Sequence, residues 1–135
     1  MAVVPFRNEP LTDFSIPANR DAFRQALELV QSRFGREYPI IIGGERIMTK
    51  DRIVSTNPAK PDEVVGYVAR ADRELADRAM ATALAAFEEW SQVDPKARAR
   101  ILLKAAAIMR RRKHEFSATM VVAIGKNWAE ADADT

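Results

Sequence analysis

The chain has 135 residues, of which 47% are hydrophobic and 30% charged, the balance of an ordinary globular domain and not of a disordered one. Its 21 basic and 19 acidic residues leave a formal net charge of +2, so composition demands neither a polyanion nor a membrane surface as partner. There is no cysteine, which removes disulfides, thiolate metal sites and any cysteine nucleophile. No run approaches the roughly 20 apolar residues that span a bilayer, and MAVVPFRNEP lacks the basic and apolar pattern of a secretion signal. The expected location is the cytoplasm.

Pro5, Pro10 and Pro17 punctuate a start without sustained periodicity, so residues 1–18 read as an extended arm. Asn19 reads as a helix cap. Phe23, Ala26, Leu27, Val30 and Phe34 then fall on one stripe at helical spacing, the signature of a surface helix, which Gly35 is expected to end. Tyr38 to Ile42 and Glu45 to Thr49 flank Gly43-Gly44, the pattern of two strands joined by a tight glycine turn. Ile53 to Thr56 and Glu63 to Ala69 read as further strands around the Asn57-Pro58 turn signal.

After Asp72, a plausible cap, the periodicity becomes helical. Leu75, Ala79, Met80, Ala83, Phe87 and Trp90 share one broad face, and Trp90 is expected to be a core residue. Asp94-Pro95 supplies a cap and a proline at the first helical position for a second helix reaching about Arg112. Its cations Arg100, Lys104 and Arg111 share a narrow strip and nearly everything else is apolar, so this helix belongs in the middle of a larger protein. A third helix is expected from about Glu115 to Ile124, stopped by Gly125.

The residues themselves offer no catalytic or metal site. Arg110 to Lys113 beside His114 reads as a solvated helix end complementing the dipole, since no stacking aromatics accompany it as they would in a nucleic-acid surface. His114 is the only histidine. Glu130, Asp132 and Asp134 alternate like the opening of a calcium loop but lack its glycine and terminal glutamate. Gly43-Gly44 lacks the spacing and the following helix of a dinucleotide cradle.

Read together, Ile41-Ile42-Gly43-Gly44-Glu45, Asn57-Pro58-Ala59, Val64-Val65-Gly66, Phe87-x-x-Trp90, Pro95, Arg98 and Gly125-Lys126 with Glu130 resemble the amino-terminal region of the aldehyde dehydrogenase superfamily. Pro5 to Pro10, Gly35 to Pro39 and the string from Ile108 to Phe116 are similar to its delta-1-pyrroline-5-carboxylate dehydrogenase branch. The resemblance implies an α/β fold, with residues 19–135 forming a truncated amino-terminal portion of a cofactor-binding domain: a surface helix, short antiparallel strands, then three helices. For a longer parent it implies NAD as cofactor, a homo-oligomer, and oxidation of L-glutamate gamma-semialdehyde to L-glutamate in proline breakdown, with no nucleic-acid or membrane partner. In that chemistry a cysteine thiolate attacks the aldehyde and a glutamate activates water.

The family's nucleophilic cysteine, general-base glutamate and cofactor loop are expected beyond residue 135, leaving this chain without catalytic, cofactor-binding or metal-binding residues and inactive alone. Glu130 is the one residue carried over, at a position implied to lie near the substrate pocket. A helix-capping acid is the other reading of it. A stand-alone helical interaction module is the alternative for the whole chain.

Overall fold

The computed structural model describes residues 5–135, so the part of the arm at residues 1–4 lies outside the described residues. Residues 5–13 carry no regular structure, as the prolines predict, but the arm is shorter than expected. Helix α1 spans Pro17–Gln31, with Ile16 at the N-cap and Pro17 in the first turn. Proline pre-sets the helical φ there and gives up an N–H that has no partner anyway. Asn19 is therefore inside the helix, not its cap; its amide donates to the Asp13 carbonyl at 2.9 Å. The helix also stops before Gly35, with Ser32 at the C-cap donating its N–H to Glu28 O.

Strand β1 (Arg36–Tyr38) is followed by a hairpin of β2 (Ile40–Ile42) and β3 (Glu45–Ile47), Pro39 separating the first two. Gly43 and Gly44 have φ of 59° and 84°, both in the left-handed region that a primed hairpin turn needs and that side chains resist. Strand β4 (Arg52–Asn57) turns into β5 (Lys60–Ala69), where Asn57 Oδ1 accepts from the Ala59 N–H at 3.0 Å. That side-chain turn is why Asn57-Pro58 is legible as a reversal.

The strands β4 and β5 are antiparallel, but β1 pairs with β5 in parallel, Arg36 opposite Gly66 and Tyr38 opposite Val68. The expectation of antiparallel strands alone is thus corrected. The connection from β1 to β5 runs through the β2–β3 hairpin and β4, long enough for the crossover that a parallel pair needs. Gly66 permits the approach: a Cβ there would lie 3.0 Å from the Tyr38 ring and 3.2 Å from the Arg36 carbonyl.

Helix α2 (Arg73–Trp90) starts at Asp72, whose carboxylate accepts from the Leu75 N–H at 2.9 Å. Helix α3 (Pro95–Arg111) starts at Asp94, which accepts from Lys96 and Ala97 N–H. Helix α4 (Lys113–Ile124) ends at Gly125, φ 74°. A fourth helix of this half, α5 (Trp128–Ala133), adds to the three expected; at six residues it is too short to show a period.

The core lies where α1 crosses α4. Phe23, Ala26 and Val30 pack against Ala118 and Val122, with Phe14, Leu27, Val65 and Trp128 around them. Phe23 is 0% exposed, its ring 5.3 Å from Phe14 and 4.6 Å from Trp128. The α1 stripe read from periodicity is the core face. Helices α2 and α3, by contrast, contain no buried residue. Trp90 is 44% exposed, Phe87 61% and Leu102 72%, so the face expected to be core is not buried within this chain. The 3.6-residue period identified an apolar face correctly, but a period does not supply what covers it.

An ion cluster locks the α1–α4 crossing at its edge. Glu115 accepts from Arg112 Nε at 2.9 Å and Nη2 at 2.7 Å, and from Arg33 of the segment after α1. The Arg112 hydrogen bonds, then that of Arg33, lower the Glu115 carboxyl from an ordinary 4.5 to about 2. A depressed carboxyl stabilises the fold above its unfolded value, and this contribution is lost as pH falls through the folded one. The urea midpoint of a Glu115→Gln variant should therefore lie below that of wild type at pH about 6, the gap closing as pH falls from about 4.5 towards 2. A gap that is constant across that window would show that the cluster does not stabilise the fold.

Candidate functional site

Among the described residues the side chains that could act on a ligand gather around α5, the arm and the start of α4. The helix begins with a reciprocal cap: Asn127 Oδ1 accepts from the Glu130 N–H at 2.9 Å, while Glu130 Oε2 accepts from the Asn127 N–H at 3.3 Å. Two otherwise orphaned donors are satisfied by one pair of side chains, and Glu130 adds negative charge at the positive end of the helix. Glu130 is exposed. The capping signature Asn-x-x-Glu was present in the sequence and is the signal that could have revealed α5.

Two residues further on, Asp132 faces inward, its side chain only 1% exposed. One of its oxygens accepts from the Thr12 N–H at 2.7 Å and from Lys113 Nζ at 2.9 Å, and the other from the Thr12 hydroxyl at 2.6 Å. Burial pushes this carboxyl up, but the Thr12 hydroxyl, the Thr12 N–H and Lys113 together outweigh it and hold the group below the usual range. Lys113 also donates to the Pro10 carbonyl at 3.0 Å. Asp134 pairs with Lys126. The three acids of the alternating run thus have three separate duties, and no group of three or more potential metal ligands occurs among the described residues.

The basic run is likewise engaged locally. Arg110 Nε lies 2.7 Å from Glu9 of the arm, Arg112 holds Glu115, and Lys113 holds Asp132. His114 is edge-on to Phe23 at 5.7 Å, and its buried Nδ1 has no hydrogen-bond partner among the described residues. Ser117 is fully buried, its hydroxyl shared between the Lys113 carbonyl and Thr135. An open cleft of about 650 Å³ runs between the arm and helices α3 and α5, lined by Phe6, Glu9, Met109, Arg110 and Asp132; Glu130 is outside it.

The turn from β5 into α2 does not have the make-up of a pyrophosphate cradle. The connection from β5 to α2 is Arg70-Ala71-Asp72, without the glycines that let backbone N–H groups close on a pyrophosphate. The left-handed glycines serve the β2–β3 turn, the C-cap of α4 and the turn before β1. None of the helices among the described residues is long and apolar enough to cross a membrane.

The comparisons with known proteins agree with this partial architecture. The sequence profile of the aldehyde dehydrogenase family matches residues 47–135. A curated 1-pyrroline-5-carboxylate dehydrogenase of Geobacillus kaustophilus is 62% identical over 133 residues, 98% of this chain and 26% of that protein. A solved variant of 1-pyrroline-5-carboxylate dehydrogenase from Thermus thermophilus superposes with a TM-score of 0.96 at 51% identity, over 99% of this chain and 26% of that one. A Thermus structure of the same enzyme with bound NAD gives a TM-score of 0.95, also at 51% identity, with the same shares covered. The chain thus spans about a quarter of the length of the relatives it matches. Its mixed helices and small sheets are those of the amino-terminal part of such structures, and it belongs to the aldehyde dehydrogenase family.

Proposed function

We propose that this chain serves as the amino-terminal scaffold of a longer NAD-dependent enzyme that oxidises L-glutamate gamma-semialdehyde, the opened form of 1-pyrroline-5-carboxylate, to L-glutamate. The observation that carries the reading is the superposition of the whole chain, at 51% identity, on a quarter of the Thermus enzyme. The bare apolar faces of α2 and α3 support it from physics, because a soluble protein does not keep such faces in water. On this reading residues 19–135 contribute to the cofactor-binding domain, and the groups that react with the aldehyde and hold NAD come from other parts of the polypeptide. The enzyme is a cytoplasmic homo-oligomer without nucleic-acid or membrane partners.

For Glu130 the capping geometry supports a role in starting α5 over contact with substrate, and one experiment tests both the enzyme and this residue. The full-length polypeptide should form NADH from glutamate semialdehyde and NAD; a purified, folded enzyme that does not would overturn the proposal. Glu130→Gln preserves the cap, because glutamine also accepts at that position. It should leave KM within about twofold of wild type, whereas losing a charge-assisted bond to substrate would raise KM by about tenfold or more. A rise of that size with kcat unchanged would move Glu130 to the substrate pocket.

A further inference from the structure

The arm and α5 are 120 residues apart in sequence, yet Thr12 gives both its N–H and its hydroxyl to Asp132. The carboxylate takes a third bond from Lys113, so three elements, the arm, the start of α4 and α5, meet on one buried group. Lys113 is itself only 13% exposed and spans the joint, reaching the Pro10 carbonyl on one side and Asp132 on the other. Outside this joint α5 is held by Trp128 packing on Phe14 and Phe23, by the buried Ala131 and by Asp134 at its C-cap pairing with Lys126, and Phe14 again belongs to the segment leading from the arm into α1. A six-residue helix has too few internal hydrogen bonds to persist without such ties.

We propose that Asp132 is a positioning residue that makes the arm a strap for α5: Thr12 and Lys113, held on one carboxylate, set the rotation and the order of that helix. The inference rests on the reading that the chain works within a longer enzyme only in the choice of protein to test. The helix transmits the constraint because Asp132 faces inward while Glu130, two residues earlier, faces out.

The test is hydrogen exchange read by mass spectrometry on the full-length polypeptide, with peptides covering residues 5–13, 73–90 and 128–134. Thr12→Val keeps the size and backbone of Thr12 and deletes one bond to Asp132. It should speed exchange in 128–134 by about fivefold or more while leaving 73–90 at the wild-type rate. Asp132→Asn should do the reverse across the joint, speeding the arm, and the double variant should be no faster at either end than Asp132→Asn alone. Asp132→Glu, which restores the charge, should recover part of the protection.

Thr12→Val with wild-type exchange in α5 would overturn the proposal. Equal acceleration in 73–90 would overturn it too, since that is general loosening and not a strap. Should Asp132→Asn not fold because Lys113 is left buried and unpaired, Thr12→Val alone decides. Exchange is read without turnover, so an enzyme inactive on semialdehyde would count against the function proposed above and leave this measurement intact.

Discussion

The 135-residue chain by itself should form no NADH from glutamate semialdehyde and NAD above a control without protein. Oxidation through a covalent intermediate needs a nucleophile that is ionised or paired with a base, and the chain has no cysteine to supply a thiolate. The substitutes that the fold offers are disarmed. Ser117 is fully buried and its hydroxyl is bonded to the Lys113 carbonyl and to Thr135, neither of them a base, and His114 Nδ1 holds no hydroxyl among the described residues. The chain also lacks a glycine-lined strand-to-helix turn for the cofactor. Enzymes typically exceed the uncatalysed rate by about a million-fold or more, so the loss of both nucleophile and cofactor site should leave no measurable turnover. NADH formation proportional to the amount of purified chain, and abolished by Glu130→Ala, would place the chemistry in this segment and overturn the assignment.

How much could be read from the sequence depended on how local each cause was. Asp72 and Asp94-Pro95 mark helix starts because the cap is made by side chains two or three residues from the N–H groups they bind. The Phe23, Ala26 and Val30 stripe is legible because one helix face repeats every 3.6 residues and happens to be the face that is buried. Tertiary closure was not legible. The parallel pairing of β1 with β5 joins Arg36 to Gly66, and the bonds from Thr12 to Asp132 join the two ends of the chain. Neither leaves a trace in a window of a dozen residues. Asn19 misled because a good capping residue lay just inside a helix that Pro17 had already started. Glu130 entered as a site residue through family resemblance, whereas its Asn-x-x-Glu spacing contained the capping box that the structure displays.

The α2 and α3 faces carry the second large effect. Met80, Leu84, Phe87 and Trp90 on α2 and Ile101, Leu102 and Leu103 on α3 are all exposed, although both helices are well capped and regular. Helix α2 is tied to the body through Arg78 and Glu45 of the hairpin, an exposed ion pair that contributes little. Seven large apolar side chains on two helices stand open to water, the kind of surface that soluble monomers seldom leave uncovered. The isolated chain should therefore bind a hydrophobic dye, self-associate with rising concentration and melt over a broad range. Adding the remaining part of the enzyme as a separate chain should suppress the dye signal. Trp90→Ala separates the two situations. In the full-length polypeptide, which on the proposed function covers this face, it should cost on the order of 3 to 5 kcal/mol and lower the melting temperature accordingly. In the isolated chain the same indole already stands in water over much of its surface, and the substitution should change stability by less than about 1 kcal/mol while weakening dye binding. A chain that is monomeric, melts sharply and binds no dye would show that these helices need no cover, and a stand-alone helical module would replace the enzyme scaffold as the reading of the sequence.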